Sequence, residues 1–114
     1  MNYVTAIRQG DILFIQVQKM PDDCQLNNSL VLAEGEASGH KHQVISGSAK
    51  FYKSNKSVIE WSNHSQIIGY LEVNDSAIVG HDEHLPVLLT QGIFAVIQQR
   101  NFNPFEKGVS YVND

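Results

Sequence analysis

The sequence predicts an all-β fold, because its apolar residues alternate along short runs that turn-forming residues separate. In residues 11–18, DILFIQVQ, apolar side chains occupy both faces of one strand, with Leu13, Ile15 and Val17 on the same face. We find no sustained helical period. The spacing of the runs predicts about eight or nine short strands, arranged as a small β-barrel or a barrel-like sandwich.

The other predicted strands follow along the chain after a break at residues 20–23. They cover residues 29–33, 42–45, 50–53, 57–61, 67–73, 77–79, 87–89 and 93–100. Gly, Asn, Asp and Ser predict turns between these strands at residues 47–48, 54–56, 74–75 and 91–92. Residues 103–106 are predicted to form a short helical turn. The predicted core comprises Leu13, Ile15, Val17, Val31, Ile59, Trp61, Ile68, Leu71, Ile78, Phe94 and Val96.

Size and composition indicate a single globular domain that spans residues 1–114. The chain is 42% hydrophobic and 18% charged, which is typical of a globular protein and not of a disordered one. Its formal net charge of −4 argues against a dedicated nucleic-acid binder, although Lys50, Lys53 and Lys56 form a local basic patch. Exposed edge strands are compatible with a homodimer.

Cysteine usage and the absence of long apolar runs predict the compartment. Cys24 is the only cysteine, so the chain forms neither an intramolecular disulfide nor a cysteine metal cage. The sequence shows no signal peptide and no apolar run that approaches the ~20 residues needed to cross a bilayer. We therefore expect a cytoplasmic protein that does not bind membranes.

Two short histidine clusters are the strongest chemical signal. His40 and His42 lie in GHKH and His81 and His84 in HDEH, and these are four of the five histidines. Imidazoles bind divalent metals and transfer protons near neutral pH. His40 and His42 project from the same face of a strand, whereas His81 and His84 converge only if the chain turns at residues 82–83.

We expect these clusters to hold one divalent metal ion. Its ligands would be His40, His42 and either His81 or His84. Three protein ligands leave an open position, at which the ion activates water or polarises a substrate oxygen. Nitrogen and oxygen ligands suit zinc, manganese or iron, and the sequence does not choose among them.

The acidic and basic neighbours complete this hypothesis. Glu36 or Glu83 is a further ligand or the base that takes a proton from water, and Lys41 and Arg100 bind the substrate. The preferred function is a small metal-dependent hydrolase that acts on a phosphorylated or nucleotide-like small molecule. The alternatives are a metal-free phosphodiesterase with histidine acid–base chemistry and a non-enzymatic module that binds a small ligand or a partner chain. The simplest alternative is that these are surface-loop histidines without a role.

The stretch LAEGEASGHKHQV and the later HDEHLPVLLTQGIFAVIQQRNF carry a resemblance to a family. They resemble a small bacterial family whose members share EGE, GHxH and HxEH-x-P and often begin with RQGD, as at residues 8–11. This resemblance implies a common pattern and no particular reaction. A looser resemblance, carried by the HxH pair beside Gly39, is to the cupins, and it implies a cupin-like metal-binding barrel. The cupin glutamate is missing from residues 43–47, and no histidine follows Gly92.

Overall fold

A computed structural model of the protein describes residues 4–34, 40–56, 66–99 and 109–112. These residues form eight strands and no helix. The described part of the chain therefore has no helix that is long and apolar enough to span a membrane. The all-β prediction is confirmed. The strands are β1 (Val4–Gln9), β2 (Ile12–Val17), β3 (Gln25–Leu26), β4 (Val31–Glu34), β5 (Lys41–Lys53), β6 (Gln66–Gly80), β7 (Val87–Gln98) and β8 (Val109–Val112).

The eight strands belong to one sheet, with the order β3-β5-β6-β7-β2-β1-β8 and with β4 also paired to β5. Every pair is antiparallel except β1 and β8, which run parallel. The outer strands β3 and β8 do not pair with each other, so the described strands form an open sheet and not a closed barrel. An open sheet of eight strands is compatible with a barrel-like or sandwich arrangement, since sheets twist.

Three long strands replace pairs of shorter predicted ones. The turns predicted at residues 47–48, 74–75 and 91–92 are wrong, because each of these pairs lies inside a continuous strand. The pairing register shifts at two of these places. It shifts between Gly47 and Ala49 where β5 pairs with β6, and between Val73 and Ser76 where β6 pairs with β7. Partner strands keep the chain extended there, so residues that favour turns produce β-bulges and not hairpins.

The other strand predictions have mixed outcomes. β2 and β4 correspond to the strands predicted at residues 11–18 and 29–33. β1, β3 and β8 were not predicted, and β3 is only two residues long. The strand predicted at residues 57–61 and the helical turn at 103–106 lie outside the described residues.

Two apolar clusters form the core, and β2 contributes to both. Ile12 and Phe14 lie in one cluster with residues of β4, β5, β6 and β7, and Leu13 and Ile15 lie in the other with residues of β1, β6 and β7. Each large apolar side chain buried in this way contributes about 1.5–3 kcal/mol. Of the predicted core, Leu13, Ile15, Leu71, Phe94 and Val96 are buried, Val17, Val31, Ile68 and Ile78 are partly buried, and Ile59 and Trp61 lie outside the described residues.

Candidate functional site

The fold brings His40, His42, His81 and His84 together, and we call this group the histidine cluster. The ring centroids of His42 and His81 are 4.4 Å apart, those of His81 and His84 4.7 Å, and those of His40 and His81 5.8 Å. Antiparallel pairing of β5 with β6 explains the convergence. Gln43 pairs with Gly80, so the beginning of β5 lies beside the end of β6.

His42 is the most deeply buried ring of the histidine cluster and is only 1% exposed. Nε2 of Gln9 donates hydrogen bonds to the carbonyl oxygens of Val79 and Leu85, both at 2.9 Å. The amide oxygen Oε1 of Gln9 is therefore the atom that faces His42, and it accepts a hydrogen bond from Nδ1 of His42 at 2.9 Å. With its proton on Nδ1, His42 presents Nε2 to the rest of the site.

The carboxylate of Asp11 faces that nitrogen. Oδ1 of Asp11 lies 3.3 Å from Nε2 of His42, and both side chains are buried. Oδ2 accepts a hydrogen bond from Nε2 of Gln98 at 3.0 Å, and the backbone oxygen of Asp11 accepts one from the N–H of Gln99 at 2.7 Å. β7 thus fixes Asp11 with one oxygen directed at His42.

The turn between β1 and β2 lies close to the rings of His42 and His84. Gly10 has a φ of 59°, in the left-handed region that favours glycine. A Cβ atom at Gly10 would lie 2.8 Å from Nε2 of His84 and 3.3 Å from Cε1 of His42. The buried Arg8 braces the turn by donating to the carbonyl oxygen of Gly10 at 3.2 Å and to Oε1 of Gln99. The turn therefore forms the inner wall of the site.

His81 differs from His42 in its hydrogen bonding. Its Nδ1 accepts a hydrogen bond from the backbone N–H of Glu83 at 3.0 Å, so the neutral ring carries its proton on Nε2. Burial lowers the pKa of His81 below its ordinary value of 6.5, and the neighbouring His42 and His84 lower it further, against the opposing effect of Asp82. His81 is thus a neutral donor near pH 7.

Asp82 and Glu83, the acidic residues of HDEH, lie beside His40 at the outer edge of the histidine cluster. Oδ2 of Asp82 lies 2.7 Å from Nδ1 of His40, and Oε1 of Glu83 lies 3.8 Å from Nε2. Nδ1 of His40 nevertheless has no aligned hydrogen-bond partner among the residues that the structure describes. Partial burial opposes ionisation of Asp82, but its own backbone N–H and His40 outweigh burial and lower the pKa of this carboxyl below 3.8.

A cleft of about 400 Å³ opens beside the histidine cluster, and we call it the outer cleft. Its lining side chains are Lys41, Gln43, Ile45, His81, Asp82 and Pro86. His81 belongs both to the histidine cluster and to this cleft. A larger cleft of about 560 Å³ runs along Leu32, Lys53 and Gln66 and contains none of the four histidines. Of these two clefts, the outer cleft is the one that contacts the histidine cluster.

The predicted site residues have different places in the structure. The four histidines converge, Lys41 lines the outer cleft, and the exposed Glu83 lies 3.8 Å from His40. Glu36 and Arg100 lie outside the described residues. In the described parts of the chain, no three His, Cys, Asp or Glu side chains are positioned to hold one ion together.

Gln9 and Asp11, whose side chains face the two ring nitrogens of His42, were not predicted as site residues. Both lie in RQGD, which carries a family resemblance but no predicted chemical role. A short polar segment with a glycine between two apolar runs predicts a tight turn at one end of a sheet. That signal was available, but it does not say which other sheet end lies opposite.

Comparison with known proteins places the chain in a family. Residues 8–99 match the profile of a domain of unknown function, DUF8820. Neither the curated proteins nor the solved structures give a match. The matched segment includes both histidine clusters of the sequence and the turn that carries Asp11. The chain therefore belongs to the DUF8820 family.

Proposed function

We propose that the protein is a small metal-dependent hydrolase whose histidine cluster binds one divalent transition-metal ion. The observation that carries this proposal is the buried pair of His42 Nε2 and Asp11 Oδ1, 3.3 Å apart. Two adjacent ligands of one ion with bonds near 2.1 Å are separated by about 3.0–3.4 Å. The contact of His42 with Gln9 supports the same function, since metal-binding histidines donate their other N–H to an acceptor that orients the ring.

A third ligand completes the set when the ion binds. His84 is the best candidate, because it lies on the bend after β6 and its Nε2 already lies against Gly10, next to Asp11 in the chain. Three protein ligands would leave a position for water, which the ion would convert into a nucleophile. Zinc, manganese and iron all suit this nitrogen and oxygen set.

The outer cleft gives the substrate a place next to the ion. Lys41 offers a cation there, and the proton on Nε2 of His81 offers a donor for a leaving oxygen. These two groups support a phosphorylated small molecule as the substrate. The lone Cys24 suits action in the reducing cytoplasm.

A second candidate function is metal-free phosphodiester cleavage by histidine acid–base chemistry. The hydrogen bond from Glu83 to Nδ1 of His81 favours it, because that bond leaves a protonated Nε2 directed away from the bend and keeps His81 from binding metal through Nδ1. In this scheme the pair of His42 and Asp11 supplies the base, and His81 is the general acid in its protonated form, which its lowered pKa confines to mildly acidic pH.

Metal analysis of untagged protein, purified without chelator, tests the primary proposal. We expect about one equivalent of zinc, manganese or iron, which is lost in Asp11→Asn and in His42→Gln. Glu83→Gln is the matched control, since this exposed carboxylate lies outside the ligand set, and it should retain the ion. Folded Asp11→Asn and His42→Gln variants that keep full metal content would refute the site.

Turnover of p-nitrophenyl phosphate and of its diester then separates the two candidate functions. Activity that chelation removes and zinc or manganese restores supports the metal-dependent hydrolase. Activity that survives chelation and disappears in His81→Gln supports the acid–base scheme. No turnover of either probe by metal-loaded protein would instead favour a binding module.

A further inference from the structure

The outer cleft has a chemical character that narrows the substrate class of the proposed hydrolase. Ile45 and Pro86 supply an apolar surface, and among the described residues of the lining Lys41 is the single cationic side chain. The carboxylate of Asp82 is part of the same lining and repels additional negative charge. The cleft therefore suits a ligand with an apolar body and one anionic group.

Gly80 shapes the floor of the outer cleft. A Cβ atom there would lie 2.8 Å from Cδ1 and 3.1 Å from Cγ2 of Ile45. The missing side chain allows Ile45 to lie flat over the backbone of β6, and 59% of this residue remains exposed. A ligand would cover that apolar surface, which favours binding.

We propose that the outer cleft binds a phosphate monoester of a compact aryl or short alkyl group, with the apolar group over Ile45 and Pro86 and the phosphate between Lys41 and His81. This inference rests on the proposed hydrolase function and deepens it. A cleft of about 400 Å³ with one cation disfavours nucleoside polyphosphates, which carry several charges and need several cationic partners.

Binding of three probes to the chelated, full-length protein tests the inference without turnover. We would titrate phenyl phosphate, inorganic phosphate and adenosine triphosphate and follow the amide signals of β5 and the end of β6 by NMR. Phenyl phosphate should bind about tenfold more tightly than inorganic phosphate, because only phenyl phosphate covers Ile45. Equal affinities, or tightest binding of adenosine triphosphate, would overturn the inference.

Two variants with matched exposure locate the apolar contact. Ile45→Asp should abolish the preference for phenyl phosphate over inorganic phosphate. Leu88→Asp is the control, because Leu88 is 60% exposed on β7 but lies outside the lining of the outer cleft, and it should keep the preference. Lys41→Gln should weaken both phosphate ligands by about tenfold and leave their ratio unchanged. An unchanged preference in Ile45→Asp would refute the placement.

Failure of this inference is distinguishable from failure of the proposed function. Metal content and chelated-state ligand binding are measured separately on the same preparation. Stoichiometric metal with no preference for phenyl phosphate rejects the substrate class and keeps the metal site. A preference for phenyl phosphate in protein that binds no metal keeps the outer cleft as a ligand site and rejects the metal-dependent hydrolase.

Discussion

Gln9 is the residue that orients the buried histidine, because its amide contacts three different segments of the chain. It donates to Val79 and Leu85 and accepts from His42. Replacement of Gln9 by leucine would leave all three partners without their hydrogen bonds. Each buried polar group left unpaired costs about 1–3 kcal/mol.

We expect Gln9→Leu to lower the free energy of unfolding by at least about 2 kcal/mol and to weaken metal binding by about 10–100-fold. Gln9→Glu is the comparison, since its carboxylate keeps an acceptor for Nδ1 of His42, while it replaces the donor group with a second oxygen and adds a negative charge. It should bind metal more tightly than Gln9→Leu does. Urea unfolding and competition with a chromophoric chelator measure the two effects, and equal metal affinity in both variants would contradict the orienting role.

His81 makes stability depend on pH. Its pKa lies below 6.5 in the folded protein because of burial and of the neighbouring imidazoles, so the unfolded chain binds more protons at mildly acidic pH. Stability contributed by neutral His81 is therefore complete above its unfolded pKa and is lost as the pH falls below 6.5. One group changes the slope by at most about 1.4 kcal/mol per pH unit.

Denaturant unfolding of metal-free protein between pH 7.5 and 5 checks this effect. We expect the wild-type free energy of unfolding to fall more steeply with decreasing pH than that of His81→Asn. The difference between the two slopes isolates His81 from the other histidines. Parallel curves would mean that the pKa of His81 is the same in the folded and unfolded states.

At the level of the elements, the bulges in β5 and β6 let two long strands continue through residues that usually form turns. Gly47 has a φ of 96°, and a Cβ atom there would collide with the backbone of Ser76 and Ala77 on the adjacent strand. The bulge thus needs glycine for its conformation and for the space that it leaves to β6.

Gly47→Ala should therefore destabilise the protein by about 2 kcal/mol or more, from the strained φ together with the backbone collision. Ser48→Ala is the matched control, because Ser48 is the exposed next residue of the same strand, and it should change stability by less than about 0.5 kcal/mol. Thermal unfolding of both variants measures the difference, and similar melting temperatures would argue against a tight bulge.

At the level of the whole molecule, the site exists only in the folded chain. Asp11, His42 and His84 come from three segments that are far apart in the sequence, and the sheet brings them together. If the proposed ion needs all three ligands, it would bind the native state and not the unfolded chain, and it would therefore stabilise the fold by mass action.

Zinc at about one hundred times its Kd should add about 2.7 kcal/mol to the free energy of unfolding. For a chain of this size, that corresponds to a rise in Tm on the order of 10 °C. Scanning calorimetry of chelated and zinc-loaded protein measures the shift. Asp11→Asn should show little or no rise, and an equal rise in this variant would indicate that zinc binds elsewhere.

The sequence predicts the fold class well because alternation is a local property. The pattern around Leu13 and Ile15 predicts β2, whatever the rest of the chain does. The turns predicted around Gly47 and Asn74 fail because the outcome there depends on partner strands, which local residue preferences do not include. The same limit applies to the sheet order, which depends on pairings between distant segments.

The same difference between local patterns and long-range pairings applies to the candidate site. Its histidines stand out because of their residue type and spacing, whereas Asp11 resembles many other carboxylates in turns. What distinguishes Asp11 is its 3.3 Å approach to His42, and that approach arises from a pairing between distant strands. Gln9 was missed for a similar reason, since its three partners are defined only in the folded sheet.

The turn between β1 and β2 and the segment after β6 lie on either side of the site, and they differ in how well they tolerate substitution. The turn that carries Asp11 joins β1 to β2 and is hydrogen-bonded to the N–H of Gln99, whereas residues 82–86 form an exposed segment after β6. Changing Asp82 or Pro86, which line the outer cleft, would alter which molecules bind there and leave Asp11, His42 and His84 in place. Libraries restricted to these two positions are the natural starting point for redirecting the selectivity that we propose for the outer cleft.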